Sequence, residues 1–453
     1  MTRAEKRKLK QELKNEIAEF LNIQQHYFPE LIQDLRNVLD GRNTSYTTYE
    51  IEVVLYVMIL KNVCSITSMK EMTDAFNEDN LVKNVYKILR LDEHKFLPHY
   101  VTINECLSKL DPSEFEKIRK KMLVSIIRKR SFQDARLLGK YWCVIVDATQ
   151  LYSYKKRHCE HCLTKTFNKG EEDEKTVYYH QVLEAKIILG DNLVLSIGTE
   201  FIDNESENIS KQDCEIKAFK RLSESLKKMF PRLPMCILGD SLYASEPFMK
   251  ICEENKWKWL IRYKEGSIPS IAQEYEEIAK MDEVESRIVF VDEVKKGRLL
   301  GTHRHHIQWV NELEYKGYKV NMMVLDIDRD EKKNQSFQWL SSLEIGRQTA
   351  VEFAKTGRQR WLIENEGFNM QKNKRYMITH QNSKDYQTLQ NHYLITQIAD
   401  MLVQLYEYGF KGIRELNRIV ENVAKGLLES LRREPLSEED LIYKRRRIEK
   451  SIE

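Results

Sequence analysis

The sequence predicts an α/β protein: a mixed-sheet core with helices packed on its faces, a β-rich insertion, and helical N- and C-terminal regions. Three observations carry this. Residues 1–135 show helical periodicity and no strand pattern. From Tyr141 the texture changes to three strand-like stretches followed by helix, strand, helix and strand, an order that a helix-covered mixed sheet produces. Residues 266–345 then break that order with more strand-like stretches before a helical pattern returns.

In chain order, Leu31, Ile32, Leu35, Val38 and Leu39 follow three-four spacing, and Glu50 to Val63 is apolar on nearly every side, as a buried helix should be. Ser68 with Glu71, Thr102 with Glu105 and Ser113 with Glu116 match the capping-box pattern of helix starts. Several short capped helices suggest a helix-turn-helix-like module, although capping boxes mark helix starts in any helical domain. Trp142 to Asp147 is a β-branched run apolar on both faces, typical of a central strand. Thr176 to Leu189 and Asn192 to Ile202 read as strands joined at Gly190-Asp191-Asn192. Gln212 to Met229 reads as an amphipathic helix, Met235 to Leu238 as a buried strand, Ser245 to Asn255 as a helix and Lys258 to Tyr263 as a strand. Arg287 to Phe290, Ile307 to Val310 and Val320 to Ile327 supply the β pattern of the insertion. Helices are expected from Arg347 to about Lys374 and from Gln387 through Tyr408. Ile413, Leu416, Val420, Val423 and Leu427 then form a short apolar stripe, either a coiled-coil seam or an intramolecular core stripe. The expected division is a helical region over 1–135 that binds DNA, a catalytic core over 136–265, the insertion over 266–345, the last core helix over 346–380 and a helical region over 381–453.

Composition excludes several classes. Of 453 residues, 42% are hydrophobic and 32% charged, which rules out wholesale disorder. Eight prolines and sixteen glycines are too few for a loop-rich or collagen-like chain. Lys+Arg total 73 against 70 Asp+Glu, so any basic surface must be local. The longest strongly apolar run, Val53 to Leu60, falls far short of the roughly 20 residues a membrane span needs. The basic stretch Met1 to Lys14 has no apolar core of a secretory signal, and a cytoplasmic, nucleoid-associated location without membrane contact is expected. Eight cysteines in mostly apolar settings read as reduced thiols.

The chemistry concentrates where acids end strands. Asp147 closes the strand Val144-Ile145-Val146, and Asp240 follows Cys236-Ile237-Leu238 through Gly239. Neighbouring strands ending together would bring both carboxylates to one sheet edge, though either Asp alone is also an ordinary turn residue. Glu364 and Glu366 lie among Lys355, Arg358, Arg360, Lys372, Lys374 and Arg375. An acid set into a basic, partly aromatic helix suits phosphodiester chemistry, the acid holding a divalent cation while the cations grip the phosphate backbone. The competing account is a surface ion pair between Arg360 and Glu364, in the weaker of the two orders.

Val146-Asp-Ala-Thr149, Leu238-Gly-Asp-Ser-Leu-Tyr-Ala244 and Arg360-Trp-Leu-Ile-Glu-Asn-Glu-Gly-Phe-Asn369 together resemble the three active-site blocks of bacterial insertion-sequence transposases of the DDE type. The similarity runs from about Tyr141 to His380. It implies a ribonuclease-H-like core, with a β-rich insertion between the second Asp and the Glu, and a metal-binding catalytic triad of Asp147, Asp240 and Glu364. The same branch has a Tyr, Arg, Glu, Lys signature on its last helix. Arg360 fits it, but Gly357 stands at the Tyr position and Gln371 at the Lys position, with Lys372 one further on. Glu366 stays as an alternative third acid.

The resemblance implies Mg²⁺ as cofactor, with Mn²⁺ able to substitute, and DNA as partner, both transposon ends and target. A homodimer or higher oligomer on DNA is expected, with Arg358, Arg360, Lys372 and Lys374 contacting the backbone. The implied reaction is metal-dependent cleavage at the element ends and transfer of the freed 3′-hydroxyl into target DNA. The alternatives are a nuclease of the same fold without strand transfer and a transposase-derived DNA-binding protein. The insertion is expected to handle terminal nucleotides, with Trp309 or Trp339 able to stack on a flipped base, unless both are core residues. Three further motifs compete for attention. His158-Cys-Glu-His-Cys162 is half of a zinc pattern with no second C-x-x-C or H-x-x-x-H after it. His303, His305 and His306 read as surface polar residues. Asp326-Ile-Asp-Arg-Asp330 starts like a calcium loop but lacks its glycine and glutamate.

Overall fold

A computed structural model describes residues 15–204, 212–264, 266–281, 283–295, 298–329, 334–409 and 419–444. The first segment is helical: α1 (Glu16–Tyr27), α2 (Leu31–Arg36), α3 (Ile51–Val63), α4 (Met69–Phe76), α5 (Asp79–Leu89), α6 (Tyr100–Leu107) and α7 (Ser113–Arg128). Helix α3 is buried at every position, as its all-round apolar pattern requires. Capping follows the sequence at α4, where Ser68 Oγ accepts from the Glu71 amide at 3.0 Å. It departs at α6, which opens at Tyr100 with His99 Nδ1 accepting from Val101 N, and at α7, where Asp111 rather than Ser113 accepts the first free amide. In both an upstream side chain already satisfies an orphan donor, so the helix starts earlier. Helix α2 ends at Arg36, which leaves Leu39 73% exposed instead of on the apolar stripe.

The core sheet follows: β1 (Trp142–Tyr154), β2 (Leu163–Phe167), β3 (Lys175–Gly190), β4 (Leu193–Ile202), α8 (Glu215–Met229), β5 (Met235–Gly239), α9 (Glu246–Glu254) and β6 (Lys258–Arg262). β4 pairs antiparallel with β3 and β3 antiparallel with β1, while β1, β5 and β6 run parallel. This is the ribonuclease-H-like sheet. Alternate residues of β1 serve opposite faces. Val144 and Val146 pack with α8 and the N-terminal helices, whereas Cys143 and Ile145 pack with Leu362, Ile363 and Phe368.

The insertion continues the same sheet. After α10 (Pro269–Lys280) come β7 (Glu285–Lys295), β8 (Arg298–Tyr315), β9 (Tyr318–Asp328) and β10 (Gln335–Ser341), a meander joined to the core by β10 antiparallel to β6. Its β8–β9 turn is Lys316-Gly317, both at positive φ, the backbone that a two-residue hairpin requires. The chain then runs through α11 (Ala350–Arg358), a 3₁₀ turn Gln359–Trp361 and two π-helical stretches, Ile363–Asn369 and Gln371–Arg375. It closes with α12 (Tyr386–Gly409), α13 (Val420–Arg433) and α14 (Glu438–Leu441). Of the apolar stripe near the C-terminus, Ile413 and Leu416 lie outside the described residues. Val423 and Leu427 are buried in the chain's own core, an intramolecular role.

Helix α12 threads between the sheet and the N-terminal helices. Its His392 is buried, and its Nε2 lies 2.9 Å from Asn104 Oδ1. Burial, with a smaller contribution from Lys61, pulls the imidazole pKa down from 6.5 to about 3. Between those values the unfolded chain binds a proton that the folded chain does not, so His392 should cost stability progressively as pH falls below about 6.5. His392→Gln is expected to flatten the pH dependence of the melting temperature between pH 6.5 and 4; an unaltered slope would contradict this.

Candidate active site

Register brings the two aspartates together. In the parallel β1–β5 pair, Ile145 stands opposite Leu238, so Asp147 and Asp240 are both two residues beyond the same rung. Parallel strands about 4.8 Å apart therefore carry them side by side. Both follow the alternation of Cys143, Ile145, Cys236 and Leu238 onto the face packed with Leu362 and Ile363. Asp240 Oδ1 accepts from the Leu242 amide at 2.8 Å and caps the 3₁₀ turn Ser241–Tyr243. Asp147 Oδ1 accepts from the Ala148 amide at 2.9 Å.

Glu364 arrives on the segment packed over that face. Arg360 Nη2 lies 2.7 Å from Glu364 Oε1, and its Nη1 lies 3.8 Å from Asp147 Oδ2. The ion pair of the competing account is thus formed, and the same guanidinium also reaches a second acid, Asp147. Glu366, two residues on, turns away and lines a different groove with Arg375 and Glu407.

The widened turns account for the altered signature. A π turn admits an extra residue. Gln371, seven after Glu364, is accordingly turned inward and fully buried, its Nε2 donating to Asp400 Oδ2 at 2.8 Å and Gln397 Oε1 at 3.0 Å. Lys372, eight after it, is the one near Asp147: burial lowers the ammonium pKa while the Asp147 carboxylate raises it. At Gly357 a Cβ would lie 2.5 Å from the Trp339 indole, so the ring fills the space that a tyrosine there would need.

Negative charge dominates the pocket. Asp147 is pushed up from 3.8 to about 7, first by burial, then by Glu215, Glu364 and Asp240, against the opposing pull of Arg360. Glu215, at the start of α8, was not among the sequence candidates. Its Oε1 accepts from Tyr243 Oη at 2.6 Å, and burial with Asp240 raises its pKa. Nothing in its local sequence marks it, because the strand-helix connection alone brings it to the sheet edge. The donor set is all carboxylate oxygen, the chemistry that Mg²⁺ or Mn²⁺ takes, and a divalent cation would offset the repulsion from Glu215, Glu364 and Asp240 that adds to burial in raising Asp147. Asp147, Asp240 and Glu364 could hold it, on drawing together, since their oxygens do not all lie within 4.8 Å of one another in this structure.

The basic residues divide. Arg358 lies 5.3 Å from the Phe337 ring centroid, and Arg262 lies 4.8 Å from the same ring. Lys374 is exposed and 3.6 Å from Glu421. Neither Trp309 nor Trp339 is free to stack on a base: they are 1% and 2% exposed, since alternation along β8 and β10 turns both into the core. Of the six tryptophans, Trp361, beside Arg360, is the exposed one, at 43%. His303 sits 2.7 Å from Glu293. Asp326 and Asp328 belong to β9, with Asp328 paired to Arg304 at 2.7 Å, and Asp330 lies outside the described residues. No helix among the described residues is long and apolar enough to cross a membrane.

No curated protein matches the chain. Residues 208–402 match a family model described as Transposase DDE domain, a stretch that contains Asp240 and Glu364 and begins after Asp147. Over those residues, which sit in a ribonuclease-H-like sheet, the chain is similar to a transposase DDE domain, consistent with the insertion-sequence type.

Proposed function

We propose that this chain cuts DNA at the ends of a mobile element and joins the freed 3′-hydroxyl to target DNA, using Asp147, Asp240 and Glu364 with a divalent cation. The observation that carries the reading is geometric: strand register sets Asp147 beside Asp240, and Arg360 spans Asp147 and Glu364. Mg²⁺ held there would supply Lewis-acid stabilisation of the attacking and leaving oxygens. The chain's own groups do the rest. The Leu242 and Ala148 amides fix one oxygen each of Asp240 and Asp147. Arg360 orients Glu364 and limits repulsion between the acids. Lys372 and Arg358 offer positive charge to the phosphate backbone, and Trp361 an exposed ring on which an end base can stack.

In cleavage, water attacks the phosphorus and the 3′-oxygen leaves as a hydroxyl. In joining, that hydroxyl attacks a target phosphorus and a target 3′-oxygen leaves. One site serves both because attacking and leaving groups are oxygens in each step. The protein acts on DNA as an oligomer, the N-terminal helices contributing to DNA binding.

The test is incubation with Mg²⁺ and duplexes carrying the inverted repeats that flank the coding sequence. Nicked ends and joined products are expected. Nicking without joining would favour a same-fold nuclease, and binding without either a transposase-derived DNA-binding protein. Lys372→Ala and Arg358→Ala are each expected to weaken binding irrespective of sequence and to lower the slope of log K against log salt by about one. An unchanged slope in both would remove them from the DNA surface.

A further inference from the structure

We propose that Cys159, Cys162 and His180 bind a structural Zn²⁺ ion, distinct from the carboxylate site, which clips the β1–β2 turn to β3. The sequence shows only half of a zinc pattern, and the third donor lies across a hairpin on β3. The Cys159 and Cys162 sulfurs are 3.7 Å apart, and His180 Nε2 is 3.5 Å from the first and 3.6 Å from the second. Zinc bonds of about 2.3 Å to sulfur and about 2.0–2.1 Å to nitrogen, set at tetrahedral angles, space two sulfurs about 3.8 Å apart and sulfur from nitrogen about 3.6 Å apart. The triangle already has the dimensions of one face of that tetrahedron.

The donors are placed rather than incidental. Cys162 and His180 are 0% and 3% exposed, and all the cysteines are free thiols. His180 Nδ1 has no hydrogen-bond partner, so this buried imidazole meets polar atoms only through the nitrogen aimed at the two sulfurs. Among the described residues this is the group of His, Cys, Asp and Glu whose ligand atoms all lie within 4.8 Å of one another. A water would supply the fourth ligand, since the adjacent His158, its ring centroid 6.5 Å from that of His180, has its Nε2 against Lys384 O and Gln381.

The clip has a mechanical consequence. His158 Nε2 lies 3.1 Å from Lys384 O and 3.0 Å from Gln381 Nε2, and His161 stacks on Tyr386 at 4.2 Å. The turn held by the metal therefore also anchors the connection from the Glu364 segment into α12. His180 is four residues along β3 from Glu184, the partner of Asp147, roughly 13 Å at strand spacing. The ion would steady the frame of the carboxylate site without touching it.

Full-length protein purified without chelators should contain roughly one zinc per chain, released by a thiol-blocking mercurial. The Glu364→Gln variant should retain it, and Cys159→Ser/Cys162→Ser and His180→Ala should lose it. Cobalt added to the reduced, metal-free wild type should give thiolate-to-metal charge-transfer absorption and tetrahedral visible bands, a readout that stands even if the variants fail to fold. Wild-type protein with no more zinc than the double cysteine variant and no cobalt–thiolate absorption, or one isolated with a Cys159–Cys162 disulfide that refuses metal after reduction, would overturn the site. Zinc lost from Glu364→Gln and kept by the cysteine variant would assign the metal to the carboxylates instead.

Discussion

Asp240→Asn and Glu364→Gln should each reduce DNA cleavage and joining by roughly three orders of magnitude or more while leaving DNA binding in place, because losing a cation ligand forfeits several kcal/mol of transition-state stabilisation. Asp147→Asn should do the same and also change stability in a diagnostic direction. The folded pKa of Asp147, about 7, lies above its ordinary 3.8. Between those values the folded, metal-free protein holds a proton that the unfolded chain releases, so stability falls as pH rises through the window. Above pH 7 the penalty is on the order of 4 kcal/mol as an upper bound. Removing the charge should therefore raise the melting temperature of metal-free protein at pH 8 and change it little at pH 4. Protons and metal compete for the same carboxylate, so apparent Mg²⁺ affinity measured by calorimetry should weaken as pH falls below about 7. A variant that is equally active, or a wild-type Mg²⁺ affinity that is flat from pH 8 to 6, would refute the assignment of Asp147.

Asp400→Ala is expected to destabilise the fold by about 3–5 kcal/mol, the cost of leaving buried Lys186 without its anion while Arg375 keeps only Glu407. Asp400 is 1% exposed. Its carboxylate lies 3.7 Å from Lys186 Nζ and 3.4 Å from Arg375 Nη1, and it accepts from Gln371, Gln404 and Tyr376. This network fastens the Glu364 segment to α12 and β3, so cleavage should fall along with stability. Lys374→Ala, which breaks only the exposed pair with Glu421, should leave the melting temperature nearly unchanged. Equal melting temperatures for the Asp400 variant and the wild type would show that the network is not what holds the segment.

Much of the candidate site was legible before the fold. Asp147 and Asp240 stand out because each follows a short apolar run. Asp240 does come just after β5, but Asp147 does not close its strand, since β1 continues to Tyr154 and only its parallel pairing with β5 stops at Ile145. The basic surroundings of Glu364 were equally plain. Glu215 was not legible, since a lone acid at a helix start looks like any other first-turn carboxylate. The tryptophans of the insertion misled for a related reason: Trp309 and Trp339 read as candidates until strand pairing fixed which face is core. The partial Tyr, Arg, Glu, Lys signature was resolved only by the π turns, which move the lysine's place from Gln371 to Lys372, and by the Trp339 ring, which occupies the space beside Gly357.

The sequence by itself determined most of the order and kind of elements, though not β2, α10, β10 or the break of the Glu364 helix into 3₁₀ and π turns, together with the buried character of α3 and of the start of β1, because these depend on periodicity and on residues close in the chain. Only the tertiary structure decided which distant side chains meet: Glu215 with Asp240, Arg360 between Asp147 and Glu364, and His180 with Cys159 and Cys162. Such meetings are set by strand register and by how helical turns are wound, where one residue of shift turns a side chain to another face. No local pattern in the chain records that shift.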